Sequence, residues 1–174
     1  PVLYLLHGYS DDETGWTQFG EVEAIAGKAI KEGDATPMII AMPDGGVSWY
    51  INSYDGKTKY EDFFVKEFIP YIDKTYRTRS EKRYRAIAGL SMGGYGSLLM
   101  ATKHPELFSS CSPLSAGVFT NDEIINASDE IWKTVLGDLY GKKDLTGKNR
   151  ITPYYEQNSI LSLISKGDAK ALSA

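Results

Sequence analysis

Ser91 is the side chain with the most chemistry to offer, because of its neighbours. It stands in Gly89-Leu90-Ser91-Met92-Gly93-Gly94, after a run with strand character (83–88) and before one with helical character (94–103). Glycines two positions before and after a serine let a strand turn sharply into a helix with the hydroxyl pushed outward, the signature of a nucleophile elbow. A serine hydroxyl is a poor nucleophile near neutral pH. It needs a base to take its proton, a group to orient that base, and donors aimed at the oxyanion that develops during acyl transfer. The turn supplies one donor, the Met92 N–H at the start of the helix. A second usually comes from the loop after an earlier strand, and His7-Gly8-Tyr9 follows the apolar run 1–6. The Tyr9 N–H is the expected donor there, with Gly8 allowing close approach of the backbone.

These groups need a scaffold that brings them together. Apolar runs at 1–6 and 38–42 read as buried strands of a parallel sheet, and 83–88 and 107–116 as a third and a fourth strand, the last expected to stop near Ser112 because Pro113 interrupts it. Val22, Ala26, Ala29 and Ile30 recur at helical spacing. Residues 60–76 read as a helix kinked at Pro70, and 122–136 and 155–174 as further helices. Strands alternating with helices predict an α/β domain built on a parallel sheet. The polar loops after Leu6, Met42 and Ala88 all lie at strand C-termini, where such sheets bind ligands, so they should converge on one rim.

Composition narrows the partners. The 174 residues, 42% hydrophobic, suffice for one domain with a core. A net charge of −4 without a basic cluster speaks against nucleic acid and anionic membranes, and no apolar run approaches the length of a membrane span. The first residues lack the basic leader and cleavage site of a signal peptide. Cys111 is alone, which excludes an internal disulfide and leaves the compartment open. Asp11, Asp12 and Glu13 read as a solvated loop. No spacing suited to zinc or calcium occurs, so no metal or other cofactor is expected.

Leu5-Leu6-His7-Gly8-Tyr9, Met42-Pro43-Asp44-Gly45, Glu67-Phe68-Ile69-Pro70-Tyr71 and the Ser91 motif together resemble the esterase D branch of the α/β-hydrolases. That branch includes feruloyl and acetyl esterases, S-formylglutathione hydrolases and mycolyltransferases. The likeness runs from residue 1 to about 116 and weakens beyond. It implies a three-layer sheet-and-helix fold with strands missing at both ends and the spatial order second, first, third, fourth. It also implies Ser91 as nucleophile, an oxyanion hole of the Tyr9 and Met92 amides, and an acyl-enzyme mechanism on acetyl, feruloyl or short acyl esters, possibly carbohydrate-linked. S-formylglutathione-type thioester hydrolysis, acyl transfer and a non-catalytic scaffold are the alternatives.

One departure from the family pattern is decisive. The family places its acid and then its histidine after the nucleophile, yet only His7 and His104 occur here. His7 falls in the oxyanion loop, where it should fix loop geometry. His104 lies roughly 20 Å along the helix leaving the elbow, at about 1.5 Å per residue. No carboxylate after Ser91 stands at the end of an apolar strand. The expectation is an internal piece of a longer esterase, inactive alone, whose second and fourth strands are sheet edges open to self-association. Trp16, Trp49 and Tyr54 border the expected site as candidate substrate contacts, and 119–158 as a lid or insertion.

Overall fold

The computed structural model describes residues 1–167. Four strands, β1 (Val2–Leu6), β2 (Ile39–Ala41), β3 (Arg85–Leu90) and β4 (Ser110–Leu114), form one parallel sheet in the order β2-β1-β3-β4. This is the order the resemblance implied. The register sets Tyr4 opposite Ala41 on one side and Ile87 on the other. Since every strand points the same way, the loops after Leu6, Ala41 and Leu90 open on a common rim.

Alternation along β1 sends Val2, Tyr4 and Leu6 to one face, where they join Ile87 and the flanking helices in the main core. Tyr4 meets Phe64, Phe68 and Phe108 edge-on at 5.5, 6.1 and 6.2 Å between ring centroids. Between β1 and β2 lie α1 (Gly15–Gln18) and α2 (Val22–Glu32), and between β3 and β4 lies α5 (Met92–Lys103).

Several expected boundaries move, each for a local reason. The elbow strand starts at Arg85, because Lys82–Tyr84 wind into a 3-10 turn, and it runs on to Leu90. Arg85 is buried at its start and pairs with Asp73. β4 does not stop at Ser112. It passes through Pro113, paired with Gly89, to Leu114, since β4 is the outer strand of the described sheet and edge strands tolerate proline. Residues 60–75 form one unbroken helical run, as expected, with a widened turn just before Pro70. The run comprises α3 (Tyr60–Phe63), a π-helical turn (Phe64–Phe68) and α4 (Ile69–Thr75), with Pro70 in the first turn of α4. Proline has no N–H to continue the ladder, and the wider turn before it lets Ile69 donate to the Phe64 carbonyl instead.

The chain beyond β4 is a series of short helices. These are α6 (Asn121–Asn126), α7 (Asp129–Ile131), a π turn (Trp132–Leu136), α8 (Gly137–Tyr140), α9 (Pro153–Asn158) and α10 (Ile160–Lys166). The expected helix 122–136 is broken at Ala127, because Ser128 starts a new one by accepting from the Ile131 N–H at 3.2 Å. The expected last helix begins earlier, at Pro153, and is divided at Ser159, whose side chain caps α10. Its continuation past 167, with Asp168, lies outside the described residues. Arg150 ties this irregular region together. It is buried, donates to the carbonyls of Leu145 and Ala127, pairs with Asp129 at 2.6 Å, and lies 5.0 Å over the Trp132 ring.

Candidate active site

Ser91 occupies φ 55°, ψ −110°, a conformation L-residues seldom adopt, and is exposed on the rim. Its backbone is fastened on both sides. Its N–H donates to the Leu114 carbonyl at 2.9 Å, and its carbonyl accepts from Gly117 and Tyr95 at 2.9 and 3.0 Å. Strain of this kind persists only where the surroundings over-determine it. The two motif glycines make that possible. A Cβ at Gly89 would stand 2.3 Å from the Gly93 carbonyl oxygen, and one at Gly93 would stand 2.3 Å from that of Leu6. The first turn of α5 is thus pressed directly onto the backbones of β3 and β1.

The loop after β1 is held as firmly. The His7 ring is buried; its Nδ1–H donates to the Gly8 carbonyl at 2.8 Å and its Nε2 accepts from the Gly45 N–H at 2.7 Å. Asp44 Oδ1 lies 3.4 Å from the same Nε2, but the shorter Gly45 contact fixes that nitrogen as an acceptor and the ring as neutral. Tyr50 donates to the His7 carbonyl at 2.9 Å, and Tyr60 to that of Asp44 at 2.9 Å. The loops after β1 and β2 are therefore one hydrogen-bonded unit. A Cβ added to Gly8 would come within 3.8 Å of Ser91 Cβ, so this unit flanks the serine. The Tyr9 N–H, next in the chain, has no backbone partner among the described residues. Met92 opens α5, where an N–H has no acceptor within the helix.

The three aromatics expected to contact substrate take different positions. Trp16 is half-buried, donates its indole N–H to the Leu6 carbonyl at 3.1 Å, and lines a cleft of about 170 Å³ with Gly8, Asp11, Phe19 and Leu90. Trp49 is buried, packed between Tyr9, Tyr95 and Phe119 at 6.4, 5.5 and 5.3 Å. It also presses on Gly117, the residue that bonds the Ser91 carbonyl. Trp49 and Tyr50 both have positive φ, 53° and 59°, with no glycine to announce the turn. Tyr54 is exposed, sits edge-on to Tyr154 at 5.5 Å, and does not line that cleft. A larger concavity of about 790 Å³ opens among Pro1, Ile39 and Tyr84, at the opposite ends of the strands from Ser91.

Among the described residues no side chain hydrogen-bonds the Ser91 hydroxyl in the manner of a general base. Both nitrogens of His7 are engaged, and His104, at the far end of α5, contacts Glu61 at 3.0 Å. Glu61 also accepts from Lys103 at 2.8 Å. Burial pushes the Glu61 carboxyl up, but the His104 and Lys103 hydrogen bonds outweigh it and hold it below the usual range. This cluster anchors α3 to α5. A second anchor binds 119–158 to α5. The Tyr95 hydroxyl donates to the Asn158 carbonyl and Lys103 to the Asn158 side chain, while Tyr140 and Tyr155 pack edge-on at 5.4 Å. Burial raises the Tyr95 hydroxyl well above its ordinary value, keeping it a donor. No group of residues suited to a metal ion occurs among the described residues, and no helix is long and apolar enough to cross a membrane.

With this geometry in view, residues 1–163 match the family model Esterase, described as "Putative esterase". The chain belongs to this esterase family. It is 38% identical over 127 residues to an endo-1,4-beta-xylanase/feruloyl esterase of Xylanibacter ruminicola, covering 71% of this chain and 18% of that protein. It is 41% identical over 118 residues to an esterase of Mycobacterium tuberculosis, covering 64% of this chain and 24% of that one. Among solved structures, a ferulic acid esterase superposes with a TM-score of 0.77 at 30% identity, covering 98% of this chain and 60% of the other. A fluorophosphonate-binding serine hydrolase of Staphylococcus aureus does so at 0.72 and 26%, covering 95% and 57%. The architecture is that of the α/β-hydrolases, as the resemblance implied. The chain spans about a fifth of the first curated relatives and about three fifths of these solved relatives.

Proposed function

We propose that this chain carries the nucleophile and the oxyanion-binding half of a serine carboxylic-ester hydrolase. The observation that carries the reading is the strained Ser91, raised on the rim at the end of β3 and flanked by Gly8. In the whole protein, Ser91 Oγ attacks the ester carbonyl as its proton passes to a histidine. The Met92 and Tyr9 N–H groups receive the oxyanion, whose stabilisation is commonly worth about 3–4 kcal/mol per donor. The alcohol departs with that proton, and water then releases the acid from the acyl-enzyme. The base and its orienting acid come from parts of the protein other than residues 1–167, and the 174-residue chain alone does not turn over.

The cleft lined by Trp16, Phe19 and Leu90 is the place for the acyl group, apolar apart from Asp11. An acetyl, short acyl or feruloyl group suits it. The endo-1,4-beta-xylanase/feruloyl esterase of Xylanibacter ruminicola supports a feruloyl ester linked to carbohydrate, and an acetyl esterase of Caldicellulosiruptor saccharolyticus, 27% identical over 147 residues, supports an acetyl ester. Residues 119–158 serve as the side wall of the site, held through Phe119 on Trp49 and the tyrosine anchor on α5.

The test uses p-nitrophenyl acetate, p-nitrophenyl butyrate and methyl ferulate, with the whole protein and with this chain. Hydrolysis by the whole protein that disappears in Ser91→Ala, with none by the chain, is the expected result. Turnover by the chain would show that a base was overlooked. Preference for S-formylglutathione would redirect the reading to thioesters, and inactivity of the whole protein toward all of them would leave a scaffold.

A further inference from the structure

The concavity of about 790 Å³ lies where β2 and β3 begin, at the end of the sheet away from Ser91. We propose that it binds a small molecule that carries a phosphate group on an apolar body. This assignment is independent of the ester chemistry on the other rim. The volume falls within the range of small-molecule sites, about 300–1,000 Å³.

Arg77, Arg79 and Arg83 are separated along the chain and gather only in the fold. Arg77 and Arg79 line the concavity together with Tyr76 and Tyr84. The Arg79 and Arg83 guanidiniums each stand 4.7 Å from the centre of the Tyr84 ring. Stacking engages the flat face of a guanidinium, holds its plane, and leaves the N–H groups along its edge free. A fork of that kind matches two oxygens of an oxyanion. Arg85 is paired with Asp73, but among the described residues no carboxylate lies within 4 Å of the Arg77, Arg79 or Arg83 nitrogens. None lines the concavity either, so an entering anion displaces no internal partner. Two unpaired guanidiniums match a dianion better than a monoanion, which favours a phosphate monoester over a carboxylate. Thr36 and Tyr76 add hydroxyls that can donate to the same oxygens. Pro37, Met38 and Ile39 give apolar lining that a bare inorganic ion would leave uncovered.

Calorimetry at about pH 7.5, where a phosphate monoester is doubly charged, tests this on the whole protein with phenyl phosphate, inorganic phosphate and benzoate. Saturable binding of phenyl phosphate is expected, tighter than that of either comparator. It should weaken about ten-fold or more in Arg77→Gln and in Arg79→Gln, because hydrogen bonds between charged partners are the strong ones. Both side chains are exposed, and unchanged melting temperatures would confirm that the variants are folded. Lys148→Gln removes an exposed positive charge outside the concavity and should leave the affinity unchanged. No saturation by about 20 mM phenyl phosphate, benzoate bound as tightly, or an equal loss in Lys148→Gln would each overturn the proposal. So would binding by the 174-residue chain that is absent from the whole protein, since other parts of the protein would then fill the concavity. Binding confined to vesicles containing phosphatidate would make the site a membrane contact and overturn the small-molecule assignment.

Discussion

Gly93→Ala puts the packing of the elbow to a quantitative test. In the interior of an exposed helix this change stabilises, by up to about 1 kcal/mol. At Gly93 the added Cβ would lie 2.3 Å from the Leu6 oxygen, 2.6 Å from the Leu6 carbonyl carbon and 2.7 Å from the His7 oxygen. All three are backbone atoms of β1 and the loop it feeds, so no side chain can swing aside. Relief requires α5 to lift from β1 by about 1 Å, and overpacking of this kind costs about 1–3 kcal/mol. With the obstacle made of backbone we expect the upper end, a net loss of about 2 kcal/mol after the helical gain. For a domain of this length that lowers Tm by roughly 4–8 °C. Gly27→Ala is the matched control, since it lies within α2 and its Cβ would meet nothing within 4 Å. It should raise Tm by about 1–4 °C. Thermal and urea unfolding followed by tryptophan fluorescence would measure both. If Gly93→Ala melts at or above the wild type, the close approach of α5 to β1 is not what shapes the elbow.

Three further outcomes follow from other parts of the molecule. Arg150→Met should cost about 2–3 kcal/mol, because it strips donors from the Leu145 and Ala127 carbonyls; an unchanged urea midpoint would contradict this. Glu61 has a folded-state pKa below its unfolded value, so its contribution is complete above the unfolded pKa of about 4.3 and is lost as pH falls through the lower folded value. The stability gap between wild type and Glu61→Gln should therefore be present at pH 7 and shrink below about pH 4; a constant gap would argue against the His104 and Lys103 anchor. β4 exposes Ser110, Ser112 and Leu114 at the edge of the described sheet, so sedimentation velocity on the chain should show self-association, reduced by Ser112→Lys. A monodisperse, cooperatively unfolding monomer would refute it.

The first two strands were legible because they are written as uninterrupted apolar runs, and the elbow because its glycines are demanded by contacts one can anticipate. What escaped notice was decided by tertiary context. Nothing in Ser48-Trp49-Tyr50 signals two consecutive left-handed residues, since their conformation is imposed by Tyr50 reaching the His7 carbonyl and Trp49 filling the space beside Gly117. Pro113 reads as a strand breaker until β4 is seen to be an outer strand. The turn before Pro70 reads as α-helical, but it widens into a π turn in which the Ile69 N–H donates to the Phe64 carbonyl. Phe19 and Leu90, which line the cleft beside the serine, carried no signal, because exposed apolar residues are common on any surface.

The bonds that fasten Ser91 also govern when its geometry can exist. Its N–H is held by Leu114 and its carbonyl by Gly117, both later in the chain than the whole of α5. During synthesis the serine therefore emerges long before the contacts that bend it, and the elbow takes shape only after β4 has docked beside β3. An unfinished chain carries the proposed nucleophile in an ordinary, relaxed turn, so the raised serine is a late product of assembly.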